Sequence, residues 1–89
     1  MYLKFSPDIV EDLKAIKKRD AVLFRRIQKQ LKLFQQSPTH HSLRLHKLSG
    51  NLQNLWSISI NKSIRIVYIV LENNEAYFVA IGTHDQVYK

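Results

Sequence analysis

Near the end of this chain a histidine and a tyrosine, His84 and Tyr88, follow an apolar run from Ala76 to Ile81. That run reads as a final β-strand, with Gly82 as its break. An imidazole and a phenol at the mouth of a sheet are suited to proton transfer near neutral pH. The plain alternative is a polar tail whose Tyr88 packs on the sheet rim. A second imidazole, His46, lies in the basic stretch Leu45-His46-Lys47-Leu48-Ser49-Gly50, and a guanidinium, Arg65, interrupts the series Ile64-Arg65-Ile66-Val67-Tyr68. Burying Arg65 unpaired would be costly, so it faces outward, pairs with Glu75 or Asp85, or belongs to a functional surface. His46, Lys47, Arg65, His84 and Tyr88 are together the groups that metal-free cleavage of an RNA phosphodiester needs. A base deprotonates the 2′-hydroxyl, cations stabilise the extra negative charge on pentavalent phosphorus, and an acid protonates the departing 5′-oxygen. Spacing alone does not bring them together. An antiparallel meander would bring the start of one strand near the end of its neighbour.

The elements that must position these groups are readable. Tyr2 to Phe5 is a short first strand. Ser6-Pro7-Asp8 is a helix start: Ser6 can cap, Pro7 has its φ preset, and Asp8 and Glu11 suit the positive end of the dipole. Ile9, Leu13 and Ile16 recur at helical spacing and carry that helix to about Lys18. Asp20 then caps a second helix, roughly Ala21 to Gln36, with Leu23, Phe24, Ile27, Leu31 and Phe34 on one arc and Arg25, Arg26, Lys29 and Lys32 on the other. Ser37-Pro38-Thr39 ends it. His40 to Gly50 reads as a loop with a short extended piece at Leu43-Arg44-Leu45. Trp56, Ile58 and Ile60 alternate with Ser57 and Ser59, a half-buried strand. Asn61-Lys62 is a tight turn, Ser63 to Leu71 a central strand, and Asn73-Asn74 a hairpin turn, since Asn tolerates positive φ. The pattern is α+β, in β-α-α-β-β-β order, with the two helices on one face of the sheet.

Composition sets the outer bounds. At 89 residues the chain reads as one domain, and 45% hydrophobic content with two Gly and two Pro fits a globule better than a disordered segment. It has no cysteine, which removes disulfides and thiolate metal sites. His40 and His41 diverge if extended and have no acid or cysteine at ligand spacing, so they are read as loop residues and no metal is expected. The N-terminus lacks the apolar stretch of a signal peptide, and no segment approaches the ~20 residues of a membrane span, so a soluble, cytoplasmic protein is expected.

Charge is the strongest compositional signal. The net charge is +7, and all 14 Lys and Arg except Lys4 and Lys89 fall between Leu13 and Leu71, against one acid, Asp20. The other acids gather at the ends. Such segregation favours a polyanionic partner, nucleic acid or an acidic protein. Arg25, Lys29, Arg44, Lys47 and Lys62 are the candidate RNA contacts, although a basic helix face is often only a solvated one.

The succession of a Ser-Pro helix, a basic amphipathic helix, His46-Lys47-Leu48-Ser49-Gly50, Trp56-Ser57-Ile58, Ile64-Arg65-Ile66-Val67-Tyr68 and Gly82-Thr83-His84-Asp85-Gln86-Val87-Tyr88 resembles the RelE/ParE superfamily of bacterial toxins. The likeness spans essentially the whole chain and is nearest to the YafQ and RelE types. It implies a small, twisted antiparallel sheet with two N-terminal helices. It also implies the toxin of a type II toxin-antitoxin system, cutting mRNA in the ribosomal decoding site and held inactive by a cognate antitoxin, with no cofactor. By position, His84 matches the histidine near the C-terminus that acts as acid or base in YafQ-type toxins, and His46 an earlier catalytic histidine. Arg65 matches the strand arginine that contacts the scissile phosphate in RelE-type toxins, and Tyr88 their C-terminal aromatic. Ser59 and Ser63 depart from the pattern, falling where YafQ-type proteins have a histidine and an aspartate. The lysine pair of RelE-type sites is not evident, although Lys47 and Lys62 lie where they could supply charge. Two alternatives follow from the same likeness: a ParE-type inhibitor of DNA gyrase, which needs no acid-base groups, and a homologue that binds ribosome and antitoxin with its catalytic set eroded.

Overall fold

One aspartate joins the two long helices. Asp20 donates its backbone N–H to Ile16 O at 2.8 Å, closing α1 (Pro7–Arg19), while its side chain accepts from Leu23 N at 3.0 Å, opening α2 (Ala21–Gln36). Orphan groups at two helix ends are thus satisfied by a single residue, and the helices fold back on each other without a linker. α1 begins as its sequence dictates, with Ser6 Oγ accepting from Ile9 N at 3.1 Å and Pro7 in the first turn. The computed structural model describes residues 1–48 and 54–87 of the chain.

The remaining elements are β1 (Tyr2–Phe5), a 3₁₀ turn (His41–Leu43), β2 (His46–Lys47), β3 (Leu55–Ser59), β4 (Ile64–Leu71), β5 (Glu75–Thr83) and α3 (His84–Val87). The strands form one sheet in the order β1-β5-β4-β3-β2. β2, β3, β4 and β5 pair antiparallel, whereas β1 lies parallel to β5, so the sheet is mixed rather than wholly antiparallel. Residue alternation fixes which face of a strand is buried and says nothing of its direction; the long connection through the helices is what a parallel pair requires.

The helices cover one face of this sheet. Phe34 of α2 packs on Tyr68 and Phe78, with ring centroids 4.9 and 5.7 Å apart, and Ile9, Ile27, Ile58, Ile66 and Ala76 close the core around them. Turn chemistry follows the sequence: Asn73 and Asn74 have φ of 63° and 60°, the left-handed pair that a tight hairpin between β4 and β5 demands. Two expectations need correction. Gly82 does not end the last strand, which runs to Thr83, and the polar tail is helical at His84–Val87. The His40–Gly50 loop holds the 3₁₀ turn and β2, in place of an extended piece at Leu43–Leu45. Among the described residues no helix is long and apolar enough to cross a membrane.

Candidate functional site

The antiparallel meander brings one end of each of its strands together. In the register, Arg65 on β4 sits between Ser59 on β3 and Gly82 on β5, and Ile64 pairs with Thr83. His84, the next residue, therefore begins α3 beside the start of β4. Here α3 is held by a reciprocal cap: Gln86 N donates to Thr83 Oγ1 at 3.3 Å and Thr83 N donates to Gln86 Oε1 at 2.8 Å. That is the capping-box arrangement, spelled Thr83-His84-Asp85-Gln86, and it fixes the backbone of His84. Gly82 is required for it, since a Cβ there would lie 2.5 Å from Gln86 Oε1 and 3.1 Å from Gln86 Cβ.

Arg65 is half-buried and pinned. Its Nε donates to Ser57 Oγ at 2.9 Å, and its Nη2 donates to Arg44 O at 2.6 Å and Ser57 O at 3.3 Å. Arg44 adopts a left-handed backbone (φ 47°), which turns its carbonyl toward the guanidinium; for a residue with a Cβ that conformation costs about 1–2 kcal/mol. Pairing of Arg65 with Glu75 or Asp85 is not found: Glu75 binds Lys4 at 3.1 Å, and Asp85 stands 3.7 Å from His84 Nδ1. Neutral oxygens hold the guanidinium in place, and among the described residues no carboxylate pairs with it.

Around Arg65 the surface is concave. A cleft of about 820 Å³ is lined by four cations, Arg26, Arg44, Lys62 and Arg65, and by the imidazoles of His41 and His84. Ser42, Ser59, Asn61 and Ser63 also line it, and among the described residues no acid does. A contiguous depression of about 310 Å³ shares Arg44, Arg65 and His84 and adds Leu45 and His46. His46, Arg65 and His84 are thus brought together, as their types suggested. The rim turn is built by Asn61, whose Oδ1 accepts from Ser63 N at 2.8 Å and Ile64 N at 2.7 Å, while Ser59 Oγ donates to Asn61 O. Ser59 and Ser63, the two departures from the YafQ pattern, both line the cleft. Among the described residues no group of three or more His, Cys, Asp and Glu could hold a metal ion.

Other candidates lie elsewhere. Successive residues of a strand face opposite ways, so while His46 reaches the depression, Lys47 turns away and its Nζ sits 5.7 Å from the Trp56 ring. Arg25 and Lys29 are exposed on α2 and do not line the cleft; Lys62 and Arg44 do. Tyr88 lies outside the described residues. The α2 residue that does line the cleft is Arg26, whose Nε donates to Ile60 O at 2.7 Å. One turn on, the buried Gln30 donates to Ser59 O at 2.9 Å. A polar residue within an apolar helical arc was the sequence signal for this contact, and Arg26 at i−4 from it shares its edge. His41, read as a loop residue, is the other unforeseen member.

A family model described as the YoeB-like toxin of bacterial type II toxin-antitoxin systems matches residues 5–85. The chain belongs to that family. As a YoeB-like toxin it falls within the RelE/ParE superfamily. The Staphylococcus aureus YoeB-YefM complex contains a chain 26% identical to it, with TM-score 0.77 over 94% of this chain and 97% of that one. The YoeB/ParE toxin from Agrobacterium tumefaciens shares the fold at TM-score 0.79 and 20% identity, covering 94% and 99% of the two chains. In the E. coli DinJ-YafQ complex the likeness is again one of fold, with TM-score 0.77, 17% identity and coverage of 98% and 97%. No curated protein matches the sequence. Of the histidine and arginine positions read from sequence, Arg65 and His84 line the cleft, and His46 joins them in the adjoining depression.

Proposed function

We propose that this YoeB-like toxin is an endoribonuclease that cuts mRNA on the ribosome and arrests translation. The observation that carries this reading is the shared lining of one depression by His46, Arg65 and His84, with Arg44 beside them. One imidazole takes the proton from the 2′-hydroxyl as its oxygen attacks phosphorus. The other gives a proton to the 5′-oxygen as its bond to phosphorus breaks, leaving a cyclic phosphate and a free 5′-hydroxyl. Arg65, fixed by Ser57 and the Arg44 carbonyl, meets the charge that develops on the phosphoryl oxygens, and needs no reorganisation to do so. Arg26, Arg44 and Lys62 hold the adjoining phosphates of the strand. Tyr88 stays in the proposal as the C-terminal aromatic of the site.

Restraint by a cognate antitoxin is part of the same proposal. The solved YoeB and YafQ relatives include complexes with YefM and DinJ. On this chain an acidic, amphipathic segment has two complementary surfaces: the cationic cleft, and an apolar groove formed by Phe5, Val10, Leu13 and Phe24 with Lys14 and Lys17 at its edge.

Induced expression of the wild-type chain is expected to halt translation, with primer extension showing cuts within codons. His84→Ala should lower the cleavage rate by ~10²–10⁴. Normal translation in cells making intact wild-type protein would overturn the reading. So would gyrase inhibition for which His84 is dispensable.

A further inference from the structure

The proposed chemistry uses the cations and two of the imidazoles, and leaves the rings of His40 and His41 unexplained. They are stacked, with centroids 4.5 Å apart and planes 24° from parallel. His40 is half-buried and its ring is held by Ser42: Nδ1 accepts from Ser42 N at 3.2 Å and lies 3.0 Å from Ser42 Oγ. His41 is exposed and lines the cleft that also contains Arg44, Arg65 and His84. One face of the His41 ring is therefore backed by a fixed neighbour, and its opposite face is turned outward at the cleft wall. Among the described residues lining that cleft, His41 and His84 supply the only rings; the others are guanidinium, ammonium, amide and hydroxyl groups.

Charged and polar groups of this kind grip phosphate and ribose, but they offer nothing flat and weakly hydrated to a base. Single-stranded RNA binders meet that need with an aromatic surface on which an unstacked base can lie. We infer that the outward face of the His41 imidazole, backed by His40, is a stacking platform for an unpaired nucleobase of the RNA held in the cleft. The inference rests on the endonuclease reading and adds to it a means of positioning the strand. With phosphates fixed by Arg26, Arg44 and Lys62 and one base fixed on His41, the nucleotide is constrained at both ends, as in-line attack requires. His40 acts through His41 as a positioning residue: it holds the ring in place before RNA arrives, so little order is lost on binding.

The test uses ribosomes programmed with an mRNA whose cleavage position carries a 2′-deoxyribose, so that it binds the toxin without being cut. 2-Aminopurine is placed in turn at the positions of the exposed codon. Wild-type toxin should quench its fluorescence at one position, and an abasic residue there should weaken binding roughly 5- to 150-fold, the range of one base stacked on an aromatic side chain. His41→Ala should lose the quench, weaken binding by a similar factor and be indifferent to the abasic change. His41→Trp should keep both quench and affinity, whereas His41→Lys, which keeps a positive charge without a ring, should behave as His41→Ala does. Wild-type affinity in His41→Ala, or in His41→Lys, would overturn the platform while leaving the endonuclease reading standing. Failure of the wild-type toxin to bind the programmed ribosome would overturn that reading itself.

Discussion

Arg65 illustrates how a charge can be both held and available. Its hydrogen bonds run to a hydroxyl and two carbonyl oxygens, groups that fix the plane of the guanidinium without neutralising it. A carboxylate in the same place would hold it as firmly and screen it from phosphate. Ser57 is the side chain on which this depends, since it is fully buried and accepts from Nε. Ser57→Ala is expected to leave the fold intact and to lower the single-turnover cleavage rate roughly 10-fold or more. That is the lower end of what a hydrogen bond to a charged group contributes. Because the lost contact orients a group that meets the transition state, the effect should fall on kcat more than on KM. A folded Ser57→Ala protein that cleaves at the wild-type rate would remove the hydroxyl from the account of this site.

Among the elements, α3 has the least intrinsic support and the most to position. Four residues cannot sustain a helix alone, and α3 buries none of its side chains. What holds it is the reciprocal cap between Thr83 and Gln86, made possible by the missing Cβ of Gly82. Gln86→Ala is expected to free the His84 backbone. Amide exchange of residues 83–86 should accelerate and cleavage should fall about 10-fold or more, with the global unfolding midpoint close to wild type because the core is untouched. Amides as protected as in the wild-type toxin would show that another contact fixes α3. The long elements were legible because each has its own signal: the Ser6-Pro7 start, the α2 arc, the alternation of β3, the paired asparagines before β5. The short ones carry weaker signals. Thr83-His84-Asp85-Gln86 has the spacing of a capping box, yet without an apolar stripe it reads as a tail. His46-Lys47 is too short for alternation to show. The parallel placement of β1 and the approach of His41 to the cleft arise from tertiary packing that no local pattern encodes, whereas Arg26 is marked only indirectly, by sharing a helix edge with Gln30 in the apolar arc. Arg65, His84 and His46 were legible by type, as a charge in an apolar strand and imidazoles flanking the meander.

Across the whole molecule, the cationic cleft and the aromatic core occupy different parts of the same sheet, and α2 reaches both through Arg26 and Phe34. Cations collect around the cleft, and the aromatic cluster of Phe34, Tyr68 and Phe78 lies under the helices. The cluster contains one titratable group, and its behaviour tests the packing of the entire core. Burial pushes the Tyr68 phenol up from 10.0 to about 12, because the phenolate would lose its hydration among apolar neighbours. Below pH 10 both native and unfolded chains keep that proton, and the contribution to stability is fully present. Between pH 10 and 12 the unfolded chain releases it while the native chain retains it, so unfolding is coupled to proton loss and stability falls as pH rises. Above about 12 both forms are ionised and the contribution is gone. Two pKa units correspond to roughly 2–3 kcal/mol across that window. Tyr68→Phe keeps the ring that is 3% exposed against Phe34 and removes the ionisation. Urea unfolding at pH 8, 10, 11 and 12 should therefore show the wild-type protein losing about that much more stability than Tyr68→Phe, the other tyrosines and lysines being common to both. Parallel declines for the two proteins would place the Tyr68 hydroxyl in water and the helices further from the sheet than described.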